Sequence, residues 1–271
     1  STSGASQAGA AGAALLFVHG YNCPLDWACM RMGQLMALGK FPATLTPLVF
    51  SWPSGGLAAY FQARGQLPPD AAGSAAVDLV DFLRRLREAG LSQVHIIAHS
   101  MGCELVCAAL PLLRRFAAEG AQLSIPTVSF FNGTCSREAF FAPEGELAQL
   151  LGICSRLTLY NDGADFALHT TEVIGGRGRV VGRHTRPLPA DCGVQPGDRA
   201  RVDIVDCTSM DANVGGVRHN YFNLQPHIVG DLQELVCRGK GAAQRSRLVR
   251  ISTDPSDNIF AFLAPPVFVS V

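Results

Sequence analysis

The sequence predicts an α/β fold: a mostly parallel sheet that is covered by helices on both faces. Three observations support this. Short apolar runs alternate along the chain with longer segments of helical periodicity. The apolar runs are continuous, as in strands that are buried on both faces. Glycine- and proline-containing turns separate the two kinds of segment, and no internal repeat or linker interrupts them.

Six apolar runs are predicted to be strands, and four longer segments are predicted to be helices. The helices have clear boundary signals, with Ser74 as a cap and Gly90 as a stop for one, and a bend near Pro111 in another. The predicted strands are 14–22, 45–56, 93–100, 125–133, 155–162 and 201–209, and the predicted helices are 26–39, 74–90, 101–120 and 223–239.

The composition excludes several classes of protein. The 22 basic and 22 acidic residues cancel, so we expect no binding to nucleic acid and none to an anionic membrane. No run of 18 apolar residues is present, which argues against stable membrane insertion. Nine cysteines without a CxxC pair favour free thiols in a reducing compartment, and therefore a cytoplasmic rather than an exported protein.

The chain length suits one domain with two flanking segments. Residues 1–13 are small and polar and lack the features of a signal peptide, so we expect a flexible leader or the remainder of a longer, processed end. The domain is predicted to span 14–240, and 241–271 is a C-terminal extension. Within the domain, 166–200 is long and weakly periodic, and it is predicted to form a lid or rim over the site.

Ser100 is the first candidate for chemistry, because it lies where a predicted strand gives way to a helix in "HIIAHSMGCEL". A nucleophilic serine on such a turn requires small residues two positions before and two after it, and Ala98 and Gly102 meet that requirement. The pentapeptide alone leaves an alternative open, in which Ser100 only caps the following helix.

The first strand supplies a second element of the candidate site. An oxyanion hole requires two backbone N–H groups that point at one position. Met101, directly after the serine, and Tyr21, directly after His19-Gly20, are the predicted donors. His19 and His99 are interpreted as supports of the two loops and not as bases.

These motifs together resemble a bacterial family of α/β-hydrolases that is catalogued as a domain of unknown function and described as esterase- or lipase-like. The resemblance covers roughly residues 14 to 238, and it implies an α/β-hydrolase fold with a Ser-Asp-His triad in that chain order. The motifs that carry it are "LLFVHGYN", "LVFSWPSGG", "VHIIAHSMG", "LTLYNDGADFAL" and "HNYF".

Matched residue by residue, the resemblance assigns Ser100 as the nucleophile, Asp165 as the acid and His219 as the base. Asp162 is the rival acid, although its position before Gly163 is typical of a turn. The rival histidines are His184, in the lid segment, and His227, near the last helix.

Two segments depart from the pattern of the family. "YFQARG" (60–65) has an arginine where family members often carry an acid, and this change affects the expected substrate pocket. "FFNGTCSRE" (130–138) offers Asn132 and Thr134 where family members often have an aspartate, which removes an alternative acid.

The expected activity is hydrolysis of a small-molecule acyl ester through an acyl-enzyme, without a metal or an organic cofactor. Thioester cleavage or acyl transfer by the same triad is the nearest alternative, and a non-catalytic binding protein on the same fold is another. The oligomeric state stays open. The predicted pocket residues are Trp52, Tyr60, Phe166 and Tyr221.

Overall fold

A computed structural model describes residues 12–56, 59–120, 123–174, 178–210, 219–254 and 257–263. The strands of this described chain are short and rich in Val, Ile, Leu and Phe, as buried strands are. They are β1 (Gly12–Val18), β2 (Leu45–Phe50), β3 (Leu91–His99), β4 (Ile125–Phe131), β5 (Cys154–Asn161), β6 (Val202–Asp206), β7 (Leu248–Arg250) and β8 (Ile259–Phe262).

The four predicted helices are present, with ends within three residues of the predicted ones, and the helix predicted at 101–120 is divided in two near Pro111. Ser74 Oγ accepts a hydrogen bond from Val77 N at the start of α3, and Gly239 ends the last helix in the left-handed conformation. The helices are α1 (Leu25–Gly39), α2 (Tyr60–Gly65), α3 (Ala75–Glu88), α4 (Met101–Ala108), α5 (Leu110–Ala118), α6 (Arg137–Phe140), α7 (Glu146–Leu151), α8 (Phe166–Ile174) and α9 (Pro226–Arg238).

The described strands form one sheet in the order β2-β1-β3-β4-β5-β6-β8-β7. Every neighbouring pair is parallel except β7 and β8, which are antiparallel. The predicted mostly parallel sheet is therefore confirmed. Because β3 lies between β1 and β4, the carboxyl ends of these three strands meet at one edge, where ligands bind in such sheets.

Each face of the sheet packs against its own hydrophobic core. The core on one face contains side chains of α3, α4, α5 and α7, and the core on the other contains side chains of α1 and α9. The helices thus cover both faces, as the sequence predicts. All nine cysteines are free thiols, of which only Cys29 and Cys237 are exposed.

The predicted C-terminal extension is part of the sheet. In β8, Ile259 pairs with Ile204 of β6, and β7 pairs with β8. The segment predicted as a C-terminal extension, 241–271, thus contributes two strands, which cover what would otherwise be an open edge of β6. The predicted leader lies almost wholly outside the described residues, as does the end of the extension.

The segment 166–200, predicted to form a lid or rim, lies partly at the carboxyl edge of the sheet. Residues 166–174 form helix α8, and 180–182 bond to 133–135 at the carboxyl end of β4, which fits a rim. The remainder then leaves the site, and Arg201 Nη2 reaches the carbonyl oxygens of Leu151 and Cys154 near the amino end of β5. A connection between the parallel neighbours β5 and β6 must return to the amino end of the sheet, so the last residues of this segment lie away from Ser100.

One buried ionic network joins the C-terminal residues to the sheet. The side chains of Arg245, Asp203 and Asp231 are all fully buried. Arg245 Nη2 lies 2.8 Å from Asp203 Oδ2, and Arg245 Nη1 lies 2.7 Å from Asp231 Oδ2. Tyr160 Oη also donates to Asp231 Oδ2 at 2.7 Å. The Arg245 guanidinium therefore pairs with both buried carboxylates, and Asp203 Oδ1 also lies 3.1 Å from Arg156 Nη1.

A second buried carboxyl group lies on α4. Glu104 is 6% exposed, its Oε1 accepts a hydrogen bond of 2.5 Å from Thr134 Oγ1, and Arg64 Nε lies 3.5 Å from its Oε2. Burial raises the pKa of Glu104 to about 7, against the opposing effects of Thr134 and Arg64. The ionised form of this side chain is thus disfavoured in the folded protein.

Substitution Arg245→Met is expected to lower the free energy of unfolding by about 3–5 kcal/mol. It leaves the buried carboxylate of Asp231 without its cation, and it leaves Asp203 paired with Arg156 alone. Urea denaturation followed by circular dichroism measures this change. The exposed Arg115→Met is the matched control, with an expected effect within about 0.5 kcal/mol. Equal effects of the two substitutions would contradict a stabilising role of the buried network.

Substitution Glu104→Gln is expected to flatten the dependence of stability on pH. The pKa of Glu104 is about 7 in the folded protein and its ordinary value is 4.5, so the stability linked to this group is present below pH 4.5 and is lost as pH rises to about 7. The wild-type loss is at most roughly 3 kcal/mol. Unfolding free energies at pH 5 and pH 8 test this, with the exposed Glu138→Gln as control. An unchanged pH slope in Glu104→Gln would disprove it.

Candidate active site

Ser100 lies at the carboxyl end of β3, in a backbone conformation that few residues adopt. Its φ is 55° and its ψ is −124°, and its N–H donates to Phe131 O of the neighbouring strand at 2.9 Å. A positive φ at a residue with a side chain is strained and persists only where the surrounding structure enforces it. The sharp turn predicted between strand and helix is therefore present.

Two glycines allow the chain to pack around this turn. A Cβ added to Gly102 would lie 2.4 Å from Val18 O, and one added to Gly20 would lie 2.8 Å from Ser100 Cβ. Neither position has room for a side chain. The end of β1 thus contacts the start of α4 directly, backbone against backbone.

The alternative in which Ser100 only caps α4 is wrong. Ser100 occupies the position before the helix, but its side chain makes no capping hydrogen bond. In a normal N-cap the hydroxyl oxygen accepts from an N–H group of the first turn. Helix capping therefore does not explain the strained backbone of Ser100.

Asp165 and His219 are in direct contact, although 54 positions separate them in the chain. His219 Nδ1 lies 2.6 Å from Asp165 Oδ2, and the carboxylate is fully buried. Because a carboxylate only accepts hydrogen bonds, Nδ1 carries the hydrogen and Nε2 of a neutral His219 is left as the basic nitrogen.

Asn132 is a residue of the site that the sequence-based interpretation missed. Its Nδ2 donates to the same Asp165 Oδ2 at 2.5 Å, and Leu168 N donates to Asp165 Oδ1 at 3.0 Å. That interpretation noted Asn132 only because it stands where family members often have an aspartate. The available signal for a special position was the Asn132-Gly133 pair directly after β4. Asn132 adopts the left-handed conformation (φ 49°) that such a pair favours.

His99 connects the serine turn to the His219 loop. His99 Nε2 donates to the carbonyl oxygen of His219 at 2.7 Å, and the centres of the two rings lie 4.6 Å apart. Burial, followed by the charges of His219 and Arg31, holds the pKa of His99 well below its usual value. His99 is thus a neutral support, as predicted, and its position brings Ser100 and His219 onto adjacent segments.

His19 supports the loop after β1 in a similar manner. Its Nδ1 donates to Gly20 O at 2.9 Å, and its Nε2 accepts from Trp52 N at 3.2 Å. Burial is the main cause that lowers the pKa of His19. Both ring nitrogens are used for structure, which leaves no nitrogen for proton transfer.

The two predicted oxyanion donors lie on either side of the Ser100 turn. Met101 is the first residue of α4, where N–H groups have no acceptor within the helix. Tyr21 follows Gly20, which packs on Ser100 Cβ. The phenol of Tyr21 donates to Gly56 O at 2.6 Å, and this bond holds the loop against the segment after β2.

The four predicted pocket residues do not share one location. Trp52 and Tyr221 are buried in the cores on opposite faces of the sheet, so their assignment as pocket residues is corrected to core packing. Tyr60 is half-buried and contacts the Tyr21 ring edge-on at 5.3 Å. Phe166 begins α8 and is 62% exposed, one position after Asp165.

The rival acid and the rival histidines are engaged elsewhere. Asp162 Oδ1 accepts from Ala164 N at 2.9 Å, as expected for a turn. His184 Nε2 lies 2.7 Å from Glu172 Oε1, and His227 Nδ1 accepts from Arg247 at 3.0 Å. His219 is the histidine that pairs with Asp165.

Within the described residues, no group of three or more His, Cys, Asp or Glu side chains could hold a metal ion. No helix in the same part of the chain has both the length and the apolar character that a membrane crossing requires.

Comparison with known proteins identifies the family of the chain. No curated protein matches the chain. Among solved structures it is similar to a protein described as a cell surface hydrolase from Lactobacillus plantarum WCFS1, with 14% identity, a TM-score of 0.46, and coverage of 87% of this chain and 98% of the other. It is also similar to an esterase from Pyrobaculum calidifontis, with 12% identity, a TM-score of 0.45, and coverage of 84% and 77%.

These two structures are too distant to identify the family of the chain, but a family model identifies it. It is the model of an alpha/beta hydrolase of unknown function (DUF900), and it matches residues 7–238, most of the chain. The match agrees with the mostly parallel sheet and with the resemblance of the sequence motifs. The chain therefore belongs to this family of α/β-hydrolases of unknown function.

Proposed function

We propose that the protein is a serine hydrolase of carboxylic esters, with Ser100 as nucleophile, His219 as base and Asp165 as acid. The observation that carries the proposal is the 2.6 Å contact between Asp165 and His219 beside the strained turn of Ser100. Membership of an α/β-hydrolase family supports the same reaction class. A buried aspartate, a histidine with a defined tautomer and a serine on a turn are the three parts that such catalysis requires.

In the first half of the reaction, Ser100 Oγ attacks the carbonyl carbon of the ester and its proton passes to His219 Nε2. A C–O bond forms, and the carbonyl oxygen becomes an oxyanion. When this intermediate collapses, the bond to the alcohol oxygen breaks and His219 returns the proton to that oxygen. The products of this half are the free alcohol and an acyl-Ser100 ester.

In the second half, water attacks the acyl carbon and gives its proton to His219. The bond to Ser100 Oγ then breaks, the proton returns to Oγ, and the carboxylic acid leaves. The backbone N–H groups of Tyr21 and Met101 would stabilise the oxyanion in both halves. Donors of this kind contribute roughly 3–4 kcal/mol each to the transition state.

Asn132 has a positioning role in this proposal. By donating to Asp165 Oδ2, it holds the carboxylate where His219 Nδ1 meets it. An amide at this position also avoids a second negative charge beside Asp165, which an aspartate would introduce. The imidazolium that forms during the reaction is then paired with one well-oriented carboxylate.

Other acyl chemistry uses the same three residues. Thioester cleavage and acyl transfer differ only in the leaving group or in the acceptor, so kinetics with alternative substrates would distinguish them. A binding protein on the hydrolase fold would show no turnover. The strained serine turn favours catalysis over binding, because such strain is common at active sites.

Substitution Ser100→Ala is expected to lower kcat on the best p-nitrophenyl ester by about a thousandfold or more, with the fold intact. The test uses a series of esters of increasing acyl length, and circular dichroism checks the fold. Ser129→Ala is the matched control, since Ser129 is buried and its hydroxyl has no partner among the described residues. Turnover by folded Ser100→Ala at the rate of the wild type would refute the catalytic role.

Substitution Asp165→Asn is expected to lower kcat severely, because an amide no longer holds His219 in one tautomer or stabilises its cation. Asp162→Asn is expected to keep activity near that of the wild type, since Asp162 bonds within its own turn. Both variants are compared on the best ester, with KM and kcat determined separately. A severe kcat defect in Asp162→Asn alone would reverse the assignment of the acid.

A further inference from the structure

A cavity beside α6, called the α6 cavity below, is separate from the proposed catalytic residues, none of which lines it. Arg137, Phe141 and Pro143 line it from α6 and the residues that follow, and Arg179 and Pro189 line it from the other side. Its volume is about 530 Å³. Sites for small molecules usually have volumes of roughly 300–1,000 Å³, so the α6 cavity is large enough for a ligand.

The backbone holds two arginines side by side at this cavity. Ser136 pairs with Val180 in an antiparallel bridge, and the N–H of Arg137 donates to Arg179 O at 2.8 Å. Residues that lie opposite each other in an antiparallel pair project to the same side, and both arginines line the cavity. Like charges in this arrangement repel each other and destabilise the pairing.

A third arginine adds to this charge, and no ion pair neutralises it. Burial, followed by the charges of Arg186 and Arg179, lowers the pKa of Arg137. No carboxylate of the described residues lies within 4.0 Å of any of these three guanidiniums. Glu138 and Asp191 also line the cavity, but both are exposed. Three cations against two carboxylates leave an excess of positive charge, which a bound anion would neutralise.

The guanidinium of Arg137 is held in place and keeps a donor that an anion can reach. It lies over the ring of the buried Phe141, with 4.6 Å between Arg137 Cζ and the ring centre. Its Nη1 and Nη2 make only long hydrogen bonds, of 3.4 Å to His184 O and 3.5 Å to Pro187 O. Its Nε is accessible and has no hydrogen-bond partner among the described residues. Stacking thus orients the side chain before a ligand binds, which lowers the entropic cost of binding.

We propose that the α6 cavity is a second binding site of the protein and that its ligand is a small phosphate monoester. Arg137 and Arg179 bind the phosphate, and the organic part of the ligand lies against Pro143 and Pro189. A phosphate monoester carries a charge of about −1.5 to −2 and three acceptor oxygens. It therefore matches several guanidiniums better than a carboxylate does. The two exposed carboxylates that line the cavity repel a second anionic group, so the ligand carries a single phosphate.

Isothermal titration calorimetry with phenyl phosphate, benzoate and inorganic phosphate tests the class of ligand. Phenyl phosphate is expected to bind about tenfold more tightly than benzoate, because it has more charge and one more acceptor oxygen. It is also expected to bind about fivefold more tightly than inorganic phosphate, because its ring contacts the apolar wall. Benzoate binding as tight as that of phenyl phosphate would overturn the assignment to a phosphate, and equally tight binding of inorganic phosphate would overturn the assignment to a monoester.

Two variants connect the binding to named side chains. Arg137→Gln is expected to weaken the binding of phenyl phosphate about tenfold, since it removes a charged donor that is held in place. Arg179→Gln is expected to weaken it about threefold, since Arg179 is exposed. Arg115→Gln, at an exposed position on α5, removes the same charge away from the cavity and is expected to leave the affinity unchanged. Circular dichroism checks the fold, and the exposed Arg179→Gln tests the site even if Arg137→Gln does not fold.

These titrations involve no turnover, so their outcome is independent of the proposed ester hydrolysis. No saturable binding of phenyl phosphate would overturn the site while the proposed function stands. Equal affinities of the wild type, Arg137→Gln and Arg179→Gln would also overturn it, because phenyl phosphate would then bind elsewhere. Weakening by Arg115→Gln to the same extent as by Arg179→Gln would show a general attraction of anions to the protein, and this result would overturn the site as well.

Discussion

The backbone of Ser100 is fixed by contacts from both sides, and the rest of the site is arranged around it. Its N–H group is bonded to β4, and the end of β1 lies against it at a distance that only Gly20 permits. A strained residue of this kind costs about 1–3 kcal/mol. That energy is offset by α4, whose first seven residues are all buried. The helix cannot relax the turn without leaving the core.

A chain of hydrogen bonds extends from this turn across three separate segments. Asn132 at the end of β4 holds Asp165 before α8, and Asp165 holds the ring of His219. His99, the residue before the serine, then holds the backbone of His219. The path begins and ends beside Ser100. Asp165 therefore sets the tautomer of His219, and His99 sets the position of the His219 backbone.

The six predicted strands and four predicted helices are present in the predicted order, whereas β7, β8 and four further helices were not predicted. Buried apolar runs predicted the strands. The pairing of His219 with Asp165 was expected from the resemblance to the family, and the turn before Gly163 argued against Asp162. The donor role of Asn132 could not be predicted, because it depends on a contact with a residue 33 positions away. Trp52 and Tyr221 were misassigned for a related reason. An aromatic residue near a motif has the same sequence signal whether its side chain faces a pocket or the core.

The ion pairs of Arg245 also have a consequence for the order of folding during synthesis. Asp203 and Asp231 leave the ribosome before Arg245, and β6 leaves before its partner β8. Until then β6 is an open edge, and the carboxylate of Asp231 lacks its cation, whereas Asp203 can already pair with Arg156. Ser100, Asp165 and His219 are by then already synthesised. We therefore expect the last strands to complete a sheet whose edge beside Ser100 can form earlier, and the nascent chain to be most prone to aggregation just before they emerge.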